Sequence, residues 1–365
     1  LLAAVLLVLF RVFPPDMVAK AFAKDSVIFV FGVLALAHGI ARTGLDRRIG
    51  LVLLGTSRSV TAFLFLFLPL LAVTASFLSE HALVAFLAPI LMVVYLAAIR
   101  GAGLSHDKAL VVMFLLGLTF AANQGGPGSP AAGGRNAVMI GILSDYGVAP
   151  SFGEWVMYGL PFVPVMALVI AAYFFFALKR RVRVSDVNVA AIVRQESKKL
   201  GPMTRDEYIT AGILVLVILL WIFASKWLGM GGPALIGLVL MACLRLLSWR
   251  NVSTIPWDVV ALYAAASGIG VALANTGAAM WLAGLFVDVL PGFMKSGEGL
   301  AVASALITGI MTNFMSDGAT VAAVGPVTVP MAQLSGTHPW MVGLATAFAS
   351  SFANVFVIGT PNNAM

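Results

Sequence analysis

Apolar runs of about 20 residues, the length that lets a helix cross a bilayer, follow one another along the whole chain. One long polar stretch, 179–207, divides them into two halves and is predicted to be an aqueous loop. In the first half the pattern predicts a helix at 26–44, a short amphipathic arm at 45–58, a helical hairpin at 59–99, a broken helix at 106–143 and a helix at 153–178. In the second half it predicts helices at 208–228, 231–247 and 256–275, followed by a hairpin at 298–336.

Composition agrees with a membrane protein, because 61% of the residues are hydrophobic and only 10% are charged, unlike the usual proportions of soluble domains. The net charge of +7 does not indicate nucleic acid as a partner, since basic residues of membrane proteins concentrate in cytoplasmic loops. Eight Lys and Arg residues lie in 179–207. We therefore expect an integral protein of the bacterial inner membrane, surrounded by the lipid bilayer, with this linker in the cytoplasm.

The two halves contain matching segments. "SEHALVAFLAPI" at 79–90 and "SDGATVAAVGPV" at 316–327 share five of twelve residues. Two further pairs keep the same order along the chain: "ARTG" with "ANTG", and "ANQGGPGSP" with "ANVFVIGTP". Three ordered matches predict an internal repeat.

The positions of the basic residues predict that this repeat is inverted. Arg58 and Arg100 flank the first hairpin on one side, so its polar tip turns back inside the membrane, whereas the second hairpin starts and ends on the opposite side. The predicted fold is an all-α polytopic membrane protein: an inverted repeat with two re-entrant helical hairpins and two broken transmembrane helices. Inverted repeats of this kind are typical of secondary transporters. The alternative is that each hairpin makes two ordinary full crossings joined by an exterior turn.

The breaks within the two broken helices are candidate ion and substrate sites. Backbone without helical hydrogen bonds is tolerated at membrane depth only where protein or a watery cavity satisfies it, and such breaks offer carbonyl groups to cations and helix N-termini to anions. A simple kink without a ligand is the alternative. The candidate residues around the breaks are Asn123, Gly128, Ser129, Pro130, Asn354, Gly359, Thr360, Pro361 and Asn362.

The hairpin tips place Glu80 and Asp317 inside the membrane pattern, where a carboxylate must be neutralised. Three explanations stay open: capping of the following helix, a bound Na⁺ shared with Ser79 and Ser316, or protonation. His81 adds either a titrating group or a hydrogen-bonded structural histidine.

Arg135, just past the first break, has no counterpart in the second half. An arginine at this place either holds a carboxylate or sulfate ligand in a bidentate manner or pairs with Glu80.

These paired tips and paired Gly-Ser/Thr-Pro breaks resemble the divalent anion/sodium symporter family, part of a superfamily that also contains arsenite permeases and sodium/proton antiporters. The resemblance covers nearly the whole chain. It implies a dimerising scaffold domain and a transport domain that slides as an elevator, carrying dicarboxylates, citrate or sulfate with sodium ions. The family has Ser-Asn-Thr at each tip. Here the corresponding residues are Ser79, Glu80 and His81, and Ser316, Asp317 and Gly318, so carboxylates replace both asparagines.

The resemblance also implies a division of the chain. Scaffold helices are expected at 1–44 and 208–275, interfacial arms at 45–58 and 276–297, and the transport domain at 59–178 and 298–365, with 179–207 as the linker. The chain begins inside "LLAAVLLVLF" and stops soon after the second break, so we expect a piece of a longer protein whose second repeat is truncated.

The predicted function is an ion-coupled symporter of small anions, driven by Na⁺ or H⁺ and assembled as a homodimer. A cation/proton antiporter of the same superfamily is the alternative, because two carboxylates can exchange Na⁺ for protons. The sequence has neither a G-x-x-x-x-G-K-S/T phosphate loop nor an H-E-x-x-H zinc motif. We therefore expect no enzyme activity and no cofactor other than the coupling ion.

Overall fold

A computed structural model describes residues 2–184 and 189–365, and every regular element in these ranges is helical. Six of these helices are long and apolar enough to cross a membrane. They are the segments Pro15–Thr43, Glu80–Gly101, Lys108–Gly128, Phe152–Arg181, Arg205–Leu228 and Trp257–Asn275. The prediction of an all-α polytopic membrane protein is therefore confirmed.

Residues 2–178 form ten α-helices: α1 Leu2–Leu9, α2 Pro15–Phe22, α3 Asp25–Thr43, α4 Leu45–Leu54, α5 Val60–Ala62, α6 Leu68–Ala75, α7 Glu80–Gly101, α8 Lys108–Asn123, α9 Gly134–Asp145 and α10 Phe152–Leu178. Residues 189–365 form nine more, of which the first lies within the linker: α11 Val189–Leu200, α12 Arg205–Leu228, α13 Gly231–Cys243, α14 Trp249–Val252, α15 Trp257–Asn275, α16 Ala278–Val289, α17 Gly297–Met311, α18 Asp317–Leu334 and α19 Pro339–Ala349. A π-helical segment, Phe63–Phe67, joins α5 to α6.

The order of elements is the same in both halves. A long helix, a short helix, a helical hairpin and an interrupted helix follow one another from α3 to α9 and again from α15 to the 3₁₀ turns after α19. These interruptions lie at the two glycine- and proline-containing segments that the sequence pattern selected. The opposite membrane orientation of the two halves stays a prediction.

The linker differs from the prediction of an aqueous loop. Helix α11 forms within 179–207 and packs on α4 and α7, with Val189 and Val193 buried. An amphipathic pattern explains it, with the buried valines on one face and exposed Arg, Gln and Lys residues on the other, because burying one apolar face offsets the cost of ordering a short helix. Residues 185–188 of the predicted loop lie outside the described residues.

Helices α3, α12 and α13 form a compact unit. Gly32 of α3 faces Ala234 of α13 so closely that an added Cβ would meet the alanine side chain at 2.5 Å. Phe29 and Phe152 both pack on the Trp221 ring, with centroids 5.6 Å and 4.9 Å away. Small residues at a helix contact let backbones approach in lipid, where packing and not the hydrophobic effect drives association.

Helix α9 lies at the centre of the molecule, where it packs against α3, α15, α18 and α19. All of its residues from Arg135 to Leu143 are buried. A helix enclosed on all sides is surrounded by protein and not by lipid, so its one charged residue near the start, Arg135, must find its partners inside the protein.

The carboxylate of Asp25 connects two of the packed helices. It accepts hydrogen bonds from the backbone N–H groups of Met230 (2.8 Å) and Gly231 (2.9 Å) at the start of α13.

We predict that Asp25→Ala lowers the free energy of unfolding by about 1–2 kcal/mol, because two N-terminal donors lose their acceptor. The melting temperature in detergent measures it. Asp16→Ala, which removes an exposed carboxylate from α2, is the control, and equal melting of the two variants would contradict the prediction.

Candidate functional site

Both hairpin tips are serine-capped helix starts. The Ser79 hydroxyl accepts a hydrogen bond from the Ala82 N–H at the start of α7, and the Ser316 hydroxyl accepts one from the Ala319 N–H at the start of α18, each over 3.3 Å. Capping by the serines is therefore confirmed. The acidic residues that follow them are the first residues of the two helices, and their side chains have another partner.

That partner is Arg135, which lies between the two carboxylates. Its Nη2 is 3.5 Å from Glu80 Oε2, and its Nη1 donates to Asp317 Oδ2. The arginine is 2% exposed, the Glu80 side chain 4% and the Asp317 side chain 21%. The sequence suggested a pair with Glu80 as one possibility but not the contact with Asp317. Because one guanidinium joins residues from both hairpins, we call Glu80, Arg135 and Asp317 the charge triad.

Gly126 of the first break makes room for the guanidinium. A Cβ on Gly126 would collide with the arginine, whereas one on Gly133 would only touch its Nε and Cζ at 3.6 Å, an ordinary contact distance. The buried Nε has no hydrogen-bond partner among the described residues. The break therefore supplies volume for a charged side chain, which a simple kink would not require.

A chain of side-chain amides connects the two breaks to the first tip. Asn123 Nδ2 donates to Asn354 Oδ1 over 3.0 Å, and Asn362 Nδ2 donates to Asn123 Oδ1 over 2.7 Å. Asn362 Oδ1 is in turn 2.7 Å from His81 Nδ1, and His81 Nε2 is 4.0 Å from Glu80 Oε1. Four predicted site residues that are far apart in sequence therefore form one polar network next to the charge triad.

Each break also packs on the hairpin of its own half. The Ser129 hydroxyl donates to the Ser76 carbonyl, and a Cβ on Gly128 would meet the Ser76 side chain. In the second half a Cβ on Gly359 would lie 2.8 Å from Ala353 Cβ and 3.0 Å from the Thr312 carbonyl. These two glycines are required by close packing.

Asn136 is a site residue that the sequence analysis missed. Its Nδ2 donates to the carbonyls of Gly126 and Ser129, both over 2.7 Å, and the side chain is fully buried. Two of the carbonyls that the break was expected to offer to a cation are thus already bonded. The available signal was its place directly after Arg135 in a buried helix.

A cavity of about 450 Å³ lies between the tips and helices α3, α12 and α15. Its wall is mainly apolar, and its polar end contains seven of the predicted residues: Ser79, Glu80, His81, Pro130, Ser316, Asp317 and Pro361. Thr360 lies behind this wall, where its hydroxyl accepts a hydrogen bond from Asn362 N–H over 3.5 Å. The cavity is large enough for a small organic ion.

Tyr263 on α15 is a second missed residue. It lines the cavity, and its ring fills the space beside two glycines, Gly134 and Gly318, at each of which an added Cβ would overlap the ring or its hydroxyl group. The tyrosine leaves no room for a side chain at position 318, so Gly318 has only backbone groups to offer to a ligand, and its role as a substrate contact stays a prediction. The tip has a glycine at this place because the tyrosine needs the room.

A model of the family described as the sodium:sulfate symporter transmembrane region matches residues 1–365. The chain is also similar to curated transporters. It is 24% identical over 415 aligned residues to the sodium-dependent high-affinity dicarboxylate transporter 3 of Caenorhabditis elegans, covering 100% of this chain and 72% of that protein. It is 23% identical over 394 aligned residues to the sodium-dependent dicarboxylate transporter SdcS of Staphylococcus aureus strain USA300, covering 100% and 74%.

The charge triad should be a strong stability determinant. We predict that Arg135→Gln costs about 3–5 kcal/mol, because it leaves buried carboxylate charge unpaired, and that adding Glu80→Gln and Asp317→Asn restores most of the loss. Melting temperatures in detergent measure both steps. Lys199→Gln is the control, since Lys199 pairs with Glu196 on the exposed surface and its loss should cost about 1 kcal/mol or less. A triple variant no more stable than Arg135→Gln would contradict the role of the pairing.

The contact between Tyr263 and the second tip predicts coupling between two substitutions. Gly318→Ala should destabilise the protein by about 1–3 kcal/mol, because the new methyl group has no room, and the same change should cost less in a Tyr263→Ala background. A double-mutant cycle on melting temperature measures this coupling. Gly284→Ala is the control, since its Cβ would meet nothing within 4 Å. Additive effects of the two substitutions would contradict the contact.

Proposed function

Since the chain belongs to the sodium:sulfate symporter family, we propose that it couples Na⁺ entry to the uptake of a small dicarboxylate, tricarboxylate or sulfate anion. As a member of this family it is a membrane transporter and not an enzyme. The two relatives named above are sodium-dependent dicarboxylate transporters, which supports a carboxylate as substrate and sodium as the driving ion. The observation that carries the proposal is Arg135, a buried guanidinium with two exchangeable carboxylate partners.

Coupling follows from an exchange of partners at the charge triad. An anion entering alone would have to displace a carboxylate from Arg135 and leave that carboxylate unpaired, at a cost of several kcal/mol. A Na⁺ bound by Ser79 and Glu80, or by Ser316 and Asp317, neutralises the charge of the displaced carboxylate. The guanidinium is then free to hold the substrate in a bidentate manner. Anion and cation thus bind well only together.

The second break and the amide network support this scheme. His81 lines the polar end of the cavity, and its hydrogen bond with Asn362, which lies next to the lining residue Pro361, links the second break to the first tip. A substrate that moves either tip therefore shifts groups from both halves of the chain. We propose His81, Ser79 and Ser316 as substrate contacts. We also propose that the hydrogen-bonded pair of Asn123 and Asn354 is part of the ion-coupling region.

The placement in the cell and the assembly are part of the same proposal. The basic residues of 179–207 favour a cytoplasmic linker, and the resemblance favours an inner-membrane homodimer with the scaffold and elevator division given above. The exposed apolar side chains of α12, such as Phe223 and Trp227, are available for contact with lipid or with a second subunit.

A cation/proton antiporter is the second candidate function. Glu80 and Asp317 lie on either side of one arginine, and a carboxylate pair can exchange Na⁺ for protons without any anion. Movement of Na⁺ and protons in the absence of any substrate anion distinguishes the antiporter from the symporter.

The experiment is uptake of labelled succinate, citrate and sulfate into proteoliposomes by the full-length protein, with Na⁺ and proton gradients imposed separately. We predict uptake that follows the Na⁺ gradient. In Glu80→Gln and Asp317→Asn, the Na⁺ concentration for half-maximal uptake should rise by about tenfold or more, the size of one lost charge-assisted contact.

Glu298→Gln is the matched control, because it removes an exposed acid from the first turn of α17. If no anion moves while Na⁺ drives proton efflux from vesicles without anion, the antiporter replaces the symporter.

A further inference from the structure

The charges at the polar end of the cavity are already balanced before any ligand enters. The N-termini of α7 and α18 point to this place, and each is equivalent to about half a positive charge. Arg135 adds one full positive charge, while Glu80 and Asp317 bring two negative ones. A plain dianion that bound without a cation would therefore add two uncompensated negative charges to a site that has no positive charge to spare.

The groups that face the cavity are also not those that a plain dianion would seek. Arg135 is buried behind the tips and does not line the cavity, whereas Glu80, Asp258 and Asp317 do. Within the described part of the chain, the lining contains no lysine or arginine. Of the two triad carboxylates, Asp317 is the more exposed, with 21% of its side chain accessible against 4% for Glu80.

An ammonium group fits this surface well. It would bind Asp317 through charge-assisted hydrogen bonds to the carboxylate, and Ser79 and Glu80 would remain for the coupling Na⁺ of the symport scheme. The hydroxyl group of Tyr263, which lies beside the adjacent Gly318, belongs to a residue of the same wall and can accept a hydrogen bond from an ammonium group. The carboxylate thus released from Arg135 stays neutralised.

We propose that the preferred substrate is an amphoteric acid, a small carboxylate that also carries an ammonium group. Its carboxylate binds Arg135 and the capped helix starts of the tips, and its ammonium group binds Asp317. Such a molecule exchanges both partners of the Arg135–Asp317 pair at once and brings its own compensating cation. The inference rests on the proposed function, because it names the substrate class of the same site.

Three acids of equal chain length test it: succinate, malate and aspartate, which differ only in a hydrogen, a hydroxyl or an ammonium substituent. Each competes with labelled succinate for uptake by the full-length protein in proteoliposomes under a fixed Na⁺ gradient. Aspartate should reach half-maximal inhibition at a concentration about tenfold or more below that of succinate and malate, as expected for a charged hydrogen bond that the other two acids lack.

The assignment to Asp317 is tested by two variants. In Asp317→Asn the preference for aspartate should disappear or reverse, whereas Asp258→Asn, which removes the other cavity acid that does not contact the arginine, should keep it. The proposal is overturned if wild-type protein prefers succinate or malate, or if Asp258→Asn alone abolishes the preference. Both results leave sodium-driven carboxylate uptake standing.

Binding measured by calorimetry in detergent separates this inference from transport. Should no acid enter the vesicles, the proposed function fails. Tighter binding of aspartate than of malate in detergent would then still support the amphoteric ligand, and equal or weaker binding would exclude it.

Discussion

The ion pairs of Arg135 with Glu80 and Asp317 are the interaction on which the rest of the structure depends. One guanidinium, 2% exposed, joins the tips of two hairpins that are separated by more than half of the chain. Removing charges from water at this depth is costly, so the three groups have to be brought together or neutralised in another way. The enclosed helix α9, the glycine at 126 and the serine caps are all consistent with this requirement.

The breaks have a more specific role than exposing backbone. Asn136 bonds two carbonyls of the first break, and Asn123, Asn354 and Asn362 connect the breaks through their side chains. Amides suit this task because each offers both a donor and an acceptor without charge. A network in which most members are hydrogen-bonded holds a fixed shape. The hydrogen-bonding groups that remain available to a ligand are therefore concentrated at the tips and not along the whole break.

Much of the fold could be predicted because membrane helices need long apolar runs, and because the matching segments around Ser79 and Ser316 predict the same order of elements in both halves. The position of the breaks followed from glycine and proline. The contacts of Arg135 with Asp317 and of Tyr263 with Gly318 could not be predicted, since they join residues 182 and 55 positions apart that share no pattern. Helix α11 was missed because its apolar face is short and lies in a charged stretch, where packing on α4 and α7 decides the conformation.

The distribution of charge across the proposed domains limits how they could move. All three members of the charge triad fall in the proposed transport domain, so a sliding motion would carry them together and break none of their ion pairs. Tyr263 belongs to the proposed scaffold and contacts the proposed transport domain at Gly134 and Gly318. No charged side chain takes part in this contact. The Lys24–Asp145 ion pair also crosses the boundary, and its side chains are 24% and 20% exposed. Because water solvates both side chains once they separate, breaking this ion pair costs little free energy. The strong ion pairs therefore lie within the proposed transport domain and the weak one lies at its border, which fits a carrier with two accessible states of similar energy.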